Sequence, residues 1–177
     1  MKKILKKYWI LIIVASIIII LDQIIKAIVR ANIPFGGFWM PLEWLTPYLK
    51  FVNWSNTGAA FGLFQQGGLI FGILAVIVSI VIVIYYPQIP EGEPLMRIAM
   101  AMQMGGALGN LIDRIFFGPV TDFIAVGAFP VFNVADSSIT VGVAVLILAL
   151  WISERREMQN SLSGDQMQAE NSDKVEN

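Results

Sequence analysis

Long apolar segments dominate the chain, over about 8–29, 69–86, 95–112 and 133–152. Each is close to the ~20 residues that a helix needs to cross a bilayer. The second segment carries no charge, whereas Asp22 and Lys26 interrupt the first and Asp136 lies near the start of the fourth. This pattern predicts an all-α membrane protein with four transmembrane helices, which form one domain over residues 1–152.

The composition agrees with a membrane location. Of the 177 residues, 56% are hydrophobic and 14% are charged, and the mean hydropathy is +0.70. A soluble domain averages about 25% charged residues. The net charge of −1 argues against a nucleic-acid partner, because such a partner requires a basic face. Membrane lipids are therefore the expected surroundings of the helices.

The first apolar segment has two interpretations. It follows the basic residues Lys2, Lys3, Lys6 and Lys7, and a basic stretch before an apolar run is also typical of a signal peptide. No cleavage site of small residues follows, and the apolar pattern resumes after Asp22. The segment is therefore predicted to be a retained transmembrane helix.

The basic residues predict the orientation of the helices, because the more basic side of a membrane protein faces the cytoplasm. One side carries Lys2, Lys3, Lys6, Lys7, Arg97, Arg155 and Arg156, and the other carries Arg30, Lys50 and Arg114. Both termini are therefore predicted to be cytoplasmic, with connections 30–68 and 113–132 outside and a short cytoplasmic turn over 87–94. Residues 153–177 are polar without apolar periodicity, which predicts a disordered cytoplasmic tail.

The unusual polar residues converge on one membrane level. Asp22 lies about 21 Å along the first helix from Tyr8, in the outer half of a core about 30 Å thick. The other polar residues of this level end the third segment, open the fourth or lie in the outward loops: Asn56, Asn110, Asp113, Asp122 and Asp136. A carboxylate in the hydrocarbon costs roughly 2.5–3.5 kcal/mol on insertion scales, so the cluster indicates a functional site near the outer face.

Carboxylates are the natural candidates for chemistry at this site. The chain has no histidine and no cysteine, so the usual serine triads, cysteine nucleophiles and zinc sites built on these residues are excluded. No metal or other cofactor is expected. Asp122 and Asp136 form the sharpest pair, because two carboxylates that share a proton can act as base and acid in peptide hydrolysis. Taken singly, Asp122 also fits a solvated loop residue and Asp136 a helix N-cap.

Two motifs in the helices have structural and functional interpretations. Asp22 and Lys26 are four residues apart and share a helix face. They are predicted to form a buried ion pair, and Asp22 is open to a second role in positioning an outer loop. The segment Gly105–Asn110 contains a Gly-x-x-x-Gly spacing, which is typical of close helix packing in lipid.

Polar residues follow these glycines at the end of the third segment. Asn110 and Asp113 lie three residues apart on one helix face, which favours a polar network. Arg114 is predicted either to pair with Asp113 or to hold a substrate carbonyl with its guanidinium donors.

The first outward connection contains a strand signal. Residues 48–54 alternate between polar and apolar side chains and favour a strand, and small residues over 56–62 then predict a turn. The connection is also rich in aromatic residues: Phe35, Phe38, Trp39, Trp44, Tyr48, Phe51 and Trp54. These side chains fit either an interfacial belt or a platform for a lipid-linked substrate.

Five short motifs occur in order along the chain. They are Asp22-Gln23-x-x-Lys26, Asn56-x-Gly58-Ala59-Ala60-Phe61, Gly105-Gly106-Ala107-x-Gly109-Asn110-x-x-Asp113-Arg114, Val120-x-Asp122-Phe123 and Phe132-Asn133-x-Ala135-Asp136-Ser137. Together they resemble lipoprotein signal peptidase, the bacterial type II signal peptidase, over about residues 8–152. Each motif alone is weak, but five in order on a chain with four predicted spans are highly specific.

The resemblance implies an aspartic endopeptidase of the bacterial cytoplasmic membrane, from a family that is the target of the cyclic peptide antibiotic globomycin. It implies a lipid-modified prolipoprotein substrate, cut just before the cysteine that carries diacylglyceryl, and a small extracytoplasmic β-sheet that cradles this substrate. Asp122 and Asp136 match the catalytic dyad. The motif positions that match residues supporting the site are Asp22, Lys26, Asn56, Gly58, Asn110, Asp113, Arg114, Asn133 and Ala135. A monomer is expected.

Two other classes of protein are alternatives to the peptidase. A transporter or channel subunit would use the carboxylates as a proton or cation relay, with acidic residues at several depths. Here the acidic residues cluster at one level. The segment 69–86 contains nothing polar except Ser79, so it offers no relay group at other depths. A non-catalytic scaffold would use the aspartates as caps and ion pairs, which leaves the apolar surroundings of Asp122 unexplained.

Overall fold

The computed structural model describes the backbone over residues 2–58 and 67–175 and the side chains over 7–58 and 67–159. Four helices carry most of the described chain: α1 (Lys2–Asn32), α2 (Gly68–Tyr85), α3 (Pro94–Phe116) and α4 (Val134–Val175). Three strands complete the fold: β1 (Phe38–Trp39), β2 (Leu49–Asn56) and β3 (Val120–Val126). The protein is therefore mostly helical with a small sheet.

Small residues let α3 pack closely against its neighbours. A Cβ atom on Gly105 would come within 3.1 Å of the Ala15 backbone of α1, and one on Gly106 would collide with the Ala135 carbonyl oxygen of α4. Gly142 of α4 is equally close to α3, since its Cβ would lie 3.0 Å from the Ala99 carbonyl oxygen. The prediction that the glycines of α3 serve helix packing is confirmed.

Within the described residues, three helical stretches are long and apolar enough to cross a membrane: Lys7–Asn32, Gly68–Gln88 and Val134–Gln159. Helix α3 has 23 residues, a length of about 34 Å, but it is less apolar than these three. Its polar residues are Arg97, Gln103, Asn110, Asp113 and Arg114. Length and composition therefore identify three candidate spans, and the fourth predicted span needs a further argument.

The tail differs from its prediction. Helix α4 contains 42 residues and continues to Val175, so the backbone over 153–175 is helical instead of irregular. At 1.5 Å per residue the helix is about 63 Å long, twice the thickness of a bilayer core. The sequence after Ile152 lacks apolar periodicity but contains several Glu, Gln, Met and Arg residues, which have high helix propensity and can extend a helix that has already formed.

The sheet is antiparallel in the order β1-β2-β3. The predicted strand over 48–54 is confirmed as β2, and the turn predicted over 56–62 extends into residues 59–66, outside the described residues. Strand β3 lies within the connection 113–132, for which the sequence predicts an outward loop and no strand. Its residues are buried on both faces, so they lack the polar–apolar alternation that reveals a half-exposed strand.

The sheet lies at one end of the helix bundle, where α1 and α3 end and α2 and α4 begin. We call this the sheet end. Val29 of α1 and Ile33, the residue after α1, form a buried cluster with Phe123 of β3, which fixes the sheet to the helices. At the opposite end, Arg97 is buried and donates hydrogen bonds to the carbonyl oxygens of Lys7, Ile89 and Pro90. These bonds hold the α2–α3 connection against the start of α1.

Candidate active site at the sheet end

Asp122 and Asp136 come from two different elements that meet at the sheet end. Asp122 lies in the middle of β3, opposite Trp54 of β2, and is only 1% exposed. Asp136 lies in the first turn of α4. The bridge between Ile124 and Phe132 brings the chain back alongside β3 just before α4 begins, and this return brings the two aspartates together.

Asn133 contacts both carboxylates. Its side-chain amide donates to Asp122 Oδ1 at 2.7 Å, and its backbone N–H donates to Asp136 Oδ2 at 3.3 Å. In return, Asn133 Oδ1 accepts from the Asp136 N–H at 2.8 Å. This reciprocal pair is the capping-box arrangement of a helix start. The N-cap is therefore Asn133, and the alternative that Asp136 is the N-cap is wrong.

Two asparagine amides are held in a defined orientation. Lys26 Nζ can only donate, and it lies 3.0 Å from Asn110 Oδ1, which turns the Asn110 amide nitrogen toward Asp136 Oδ1 at 2.7 Å. Similarly, Asn56 Oδ1 accepts from the Gly58 N–H at 3.0 Å, so that Asn56 Nδ2 donates to Asp122 Oδ2 at 2.8 Å. Each aspartate thus has its oxygens positioned by neighbouring amides.

A buried ion cluster of Asp22, Lys26 and Asp113 packs next to the residues that contact the two aspartates. Lys26 Nζ lies 2.8 Å from Asp22 Oδ2 and 3.2 Å from Asp113 Oδ2, and all three side chains have no exposed surface. The predicted Asp22–Lys26 ion pair is confirmed. Asp22 Oδ1 also accepts from the backbone N–H of Ala135 at 3.0 Å. Asp22 therefore contacts the start of α4, where a carboxylate is favoured by the helix dipole.

Asp113 connects this cluster to β3. Asp113 Oδ2 accepts from the Thr121 N–H at 2.8 Å, one residue before Asp122. Arg30 Nη1 donates to the Thr121 hydroxyl at 2.9 Å and lies 3.6 Å from Asp113 Oδ1. Sequence reasoning missed Arg30 and Thr121 as site residues. The available signal was that Arg30 follows Lys26 by four residues and shares its helix face.

Arg114 does not make the predicted pair with Asp113 among the described residues. Its guanidinium donates to the Asn110 carbonyl oxygen at 3.3 Å and lies 5.7 Å from the centre of the Phe71 ring. The reason is that Lys26 and Arg30 already occupy both oxygens of Asp113. Arg114 instead lines a cavity that Asp136 also lines. The alternative in which it holds a substrate carbonyl stays a prediction.

Burial changes the acidity of the strand aspartate. Burial raises the pKa of the Asp122 carboxyl to about 7, and the neighbouring Asp136 carboxylate acts in the same direction. Hydrogen bonds from Asn56 and Asn133 and the charge of Lys26 oppose this rise in pKa. A proton is therefore retained on the pair near neutral pH, as acid–base chemistry with two carboxylates requires.

A cavity of about 730 Å³ lies next to Asp136, between α2, α3 and α4. Its volume is within the range of ligand sites. Most of the wall is apolar, including Phe71, Leu74 and Val78 of α2 and Ile139 of α4. Asp136 lies at its polar end, together with Asn56, Gly58, Asn110 and Arg114. The arrangement suits an apolar ligand that carries a polar bond next to Asp136.

The aromatic residues of the first outward connection mostly lie on the surface of the sheet end. The exposed members are Phe35, Phe38, Trp39, Trp44, Tyr48 and Trp54. Phe51 is partly buried and packs against the cluster under the sheet. Such a surface suits contact with an interface between water and lipid, so the belt and the platform interpretations both remain predictions.

Comparison with known families gives one consistent result. The sequence model of the family described as "Signal peptidase (SPase) II" matches residues 14–152. The lipoprotein signal peptidase of Staphylococcus haemolyticus is 38% identical over 151 residues, which are 82% of this chain and 94% of that protein. The lipoprotein signal peptidase of Halothermothrix orenii is 39% identical over 143 residues, which are 81% of this chain and 96% of that protein.

Two solved structures share the fold. Both are described as bacterial membrane enzymes solved by the in meso method. One superposes with a TM-score of 0.75 and 32% identity over 81% of this chain and 88% of its own. The other has a TM-score of 0.70 and 33% identity over 79% and 91% of the two chains. The region that the family model matches contains the aspartates, the ion cluster and the sheet.

Proposed function

The chain belongs to the signal peptidase II family, and on this premise we propose that it is an aspartic endopeptidase with Asp122 and Asp136 as its dyad. Its substrate is a prolipoprotein that already carries diacylglyceryl on a cysteine, and the cut falls just before that cysteine. The observation that carries the proposal is the contact of Asn133 with both carboxylates, which connects Asp136, at the polar end of the cavity, to Asp122 from a separate element.

The chemistry requires one proton on the pair. The ionised carboxylate removes a proton from a water molecule, whose oxygen attacks the carbonyl carbon of the scissile bond. The protonated carboxyl gives its proton to the carbonyl oxygen, and a tetrahedral gem-diol forms. Transfer of a proton to the nitrogen then breaks the C–N bond and releases the signal peptide and the new amino terminus. No covalent intermediate and no cofactor are needed.

The supporting residues keep this geometry in place. Asn110 and Asn133 donate to the aspartates only while Lys26 and the start of α4 hold their amide oxygens. Asp22, Lys26 and Asp113 act through these contacts and are positioning residues. Arg114, at the polar end of the cavity, is placed to donate to a substrate carbonyl. Such fixed donors lower the cost of reorganisation when charge develops.

We place four helices across the membrane, with the sheet end near the outer face and both termini in the cytoplasm. Arg97 and the lysines in the first two turns of α1 lie at the end opposite the sheet, as the positive-inside rule requires. Helix α3 is less apolar than a lone span but packs against α1, α2 and α4, which shield its polar face from lipid. Residues 1–152 are the catalytic unit, and 153–177 form a dispensable cytoplasmic extension.

The cavity suits the substrate of this family. A signal peptide is apolar and embedded in lipid, so its scissile bond lies near the membrane surface, at the depth proposed for the aspartates. The apolar wall between α2 and α4 provides room for the peptide and its acyl chains. We propose that the enzyme acts as a monomer, because the described residues of one chain supply both aspartates and their contacts.

The test is cleavage of a precursor by purified protein in detergent. Wild-type protein is expected to shorten a diacylglyceryl-modified prolipoprotein, seen as a gel shift, and to leave the unlipidated precursor intact. Mass spectrometry of the product is expected to show an amino-terminal modified cysteine. A well-folded wild-type protein that cleaves neither precursor would contradict the proposal, and equal cleavage of both would contradict the substrate.

The activity is expected to fall in alkaline solution. With the pKa of Asp122 at about 7, the pair loses its remaining proton as the pH rises above that value, and no acid is left to protonate the carbonyl oxygen. We expect kcat/KM to fall about tenfold per pH unit above this midpoint, and a second decline at acid pH when both carboxyls are protonated. The check is kcat/KM of the wild-type enzyme across about pH 5–9, and a flat alkaline limb would contradict it.

A further inference from the structure

One polar side chain of the cavity wall has no role in the dyad. Gln103 of α3 lines the cavity, yet its amide nitrogen is buried and has no hydrogen-bond partner in the described part of the chain. A buried amide without a partner is costly, roughly 1–3 kcal/mol, and such groups are rare in native proteins. An orphaned donor on the wall of a substrate cavity therefore needs an explanation.

Most other described side-chain donors of the cavity wall already donate hydrogen bonds within the protein. Asn56 and Asn110 donate to Asp122 and Asp136, and the hydroxyls of Ser137 and Thr140 donate to backbone carbonyl oxygens in the first turns of α4. Arg114 has further donors, but it lies one turn beyond Asn110, at the polar end of the cavity. Among the described wall residues, Gln103 is thus the available neutral side-chain donor of the apolar part.

The position of Gln103 relates it to the scissile bond. It precedes Asn110 by seven residues, or two helical turns, so both side chains lie on the same face of α3. The axial distance is about 10 Å, directed away from the sheet end. Rotation about the last side-chain bond of glutamine is soft, so the amide can turn its nitrogen toward a ligand in the cavity. An extended peptide covers this distance in about three residues.

The substrate would present an unpaired acceptor at this depth. A peptide bond in a helix is shielded, so the residues before the scissile bond must leave the helical conformation to reach the dyad. Their carbonyl oxygens then lose their helical partners inside an apolar cavity, where each unpaired polar group is costly. A donor about three residues from the dyad would satisfy one of them. The ester carbonyls of the diacylglyceryl group are a second source of the same acceptor.

We propose that Gln103 is a substrate-binding residue that donates a hydrogen bond to a carbonyl oxygen of the lipid-modified precursor, on the side of the cavity away from the dyad. This inference rests on the proposed peptidase function. The main-chain carbonyl about three residues before the scissile bond fits the distance best. The bond forms only with bound substrate, which accounts for the unpaired nitrogen in the free protein.

The first test replaces the amide by an apolar side chain of similar length. Gln103→Leu and Gln103→Met are expected to lower kcat/KM for the lipidated precursor about tenfold, the value of one lost hydrogen bond to a buried partner. Their Tm in detergent is expected to equal or exceed that of wild type, because an unsatisfied buried amide has been removed. Met102→Leu, a volume-conserving change one residue away, is the matched control with unchanged kcat/KM.

The second test identifies the acceptor. One precursor carries a backbone ester in place of the peptide bond about three residues before the cut, which weakens that carbonyl as an acceptor. Another carries ether-linked chains without ester carbonyls. If Gln103 binds the changed carbonyl, the altered precursor lowers kcat/KM of the wild-type enzyme. The same precursor then causes no further decrease in kcat/KM of Gln103→Leu. Such coupling with either precursor supports the inference and identifies the acceptor as the peptide carbonyl or the ester carbonyl. If the effects of the variant and of the substrate change simply add for both precursors, the inference is overturned.

Failure of this inference is distinct from failure of the proposed function. Wild-type cleavage with an unchanged kcat/KM in both Gln103 variants overturns the binding role alone. A loss of activity that matches a loss of folded protein, in both variants, also overturns it, because Gln103 would then be structural. Absence of cleavage by folded wild-type protein overturns the proposed function and this inference with it.

Discussion

Replacement of Asp122 or Asp136 by Asn is expected to lower kcat/KM for the lipidated precursor about 10²- to 10⁴-fold. Each variant removes a group that must exchange a proton in the proposed reaction, and the remaining carboxylate cannot serve as base and acid in one step. The loss is expected to be non-additive. The double variant is expected to be about as active as the less active of the two single variants, because the two groups act as a unit.

The folded state is expected to survive these changes. Asn has nearly the shape of Asp, and at Asp122 the substitution removes a carboxyl whose ionisation burial opposes. Intrinsic tryptophan fluorescence during heating in detergent measures this, and Glu91→Gln is the matched control, because Glu91 is exposed at the end of the bundle opposite the sheet. Robust cleavage by either folded single variant would contradict the dyad and favour the non-catalytic scaffold.

Replacement of Lys26 by Met is expected to give the largest loss of stability, about 3–5 kcal/mol. Lys26 has no exposed surface and is the cation closest to Asp22 and Asp113, so its removal leaves excess negative charge inside the bundle. For a chain of this size the loss corresponds to a decrease in Tm of about 10 °C. The Asn110 amide also loses the donor that orients it, so activity is expected to fall in the protein that still folds.

A second substitution distinguishes charge from packing. Adding Asp22→Asn to Lys26→Met removes one of the two carboxylates that pair with Lys26, while Arg30 stays near the other, Asp113. The introduced amide keeps an oxygen for the Ala135 N–H. The double variant is therefore expected to recover part of the lost Tm, whereas independent effects would add. Lys50→Met is the control, because Lys50 is a partly exposed lysine of β2 whose charge lies over the Phe38 ring. Equal decreases in Tm for Lys26→Met and Lys50→Met would contradict the buried-cluster argument.

Local patterns in the sequence determined much of this protein. Apolar runs identified the helices, because a helix in lipid must cover its length with apolar side chains, and the alternation over 48–54 identified β2. The Asp22–Lys26 ion pair followed from a separation of four residues. The five motifs in order predicted the family, and the sequence comparison confirmed it.

The sequence was less informative where local signals compete. Strand β3 has apolar residues on both faces and no alternation, and the polar end of α4 was assigned as disordered because it lacks an apolar stripe. The adjacency of Arg114 and Asp113 suggested an ion pair between them, yet Lys26 and Arg30 of α1 contact that carboxylate. Each error came from reading a residue or segment through its neighbours in sequence alone.

Only the tertiary structure decided how the polar residues at the sheet end are connected. Asn110 reaches Asp136 across 26 residues, Asn133 reaches Asp122 across 11, and Lys26 of α1 orients Asn110 across 84. Composition and hydropathy predict that such groups must find partners in an apolar interior, because an unpaired charge or amide there is costly. They do not specify the partners, since that choice depends on helix packing through Gly106 and on the return of the chain beside β3.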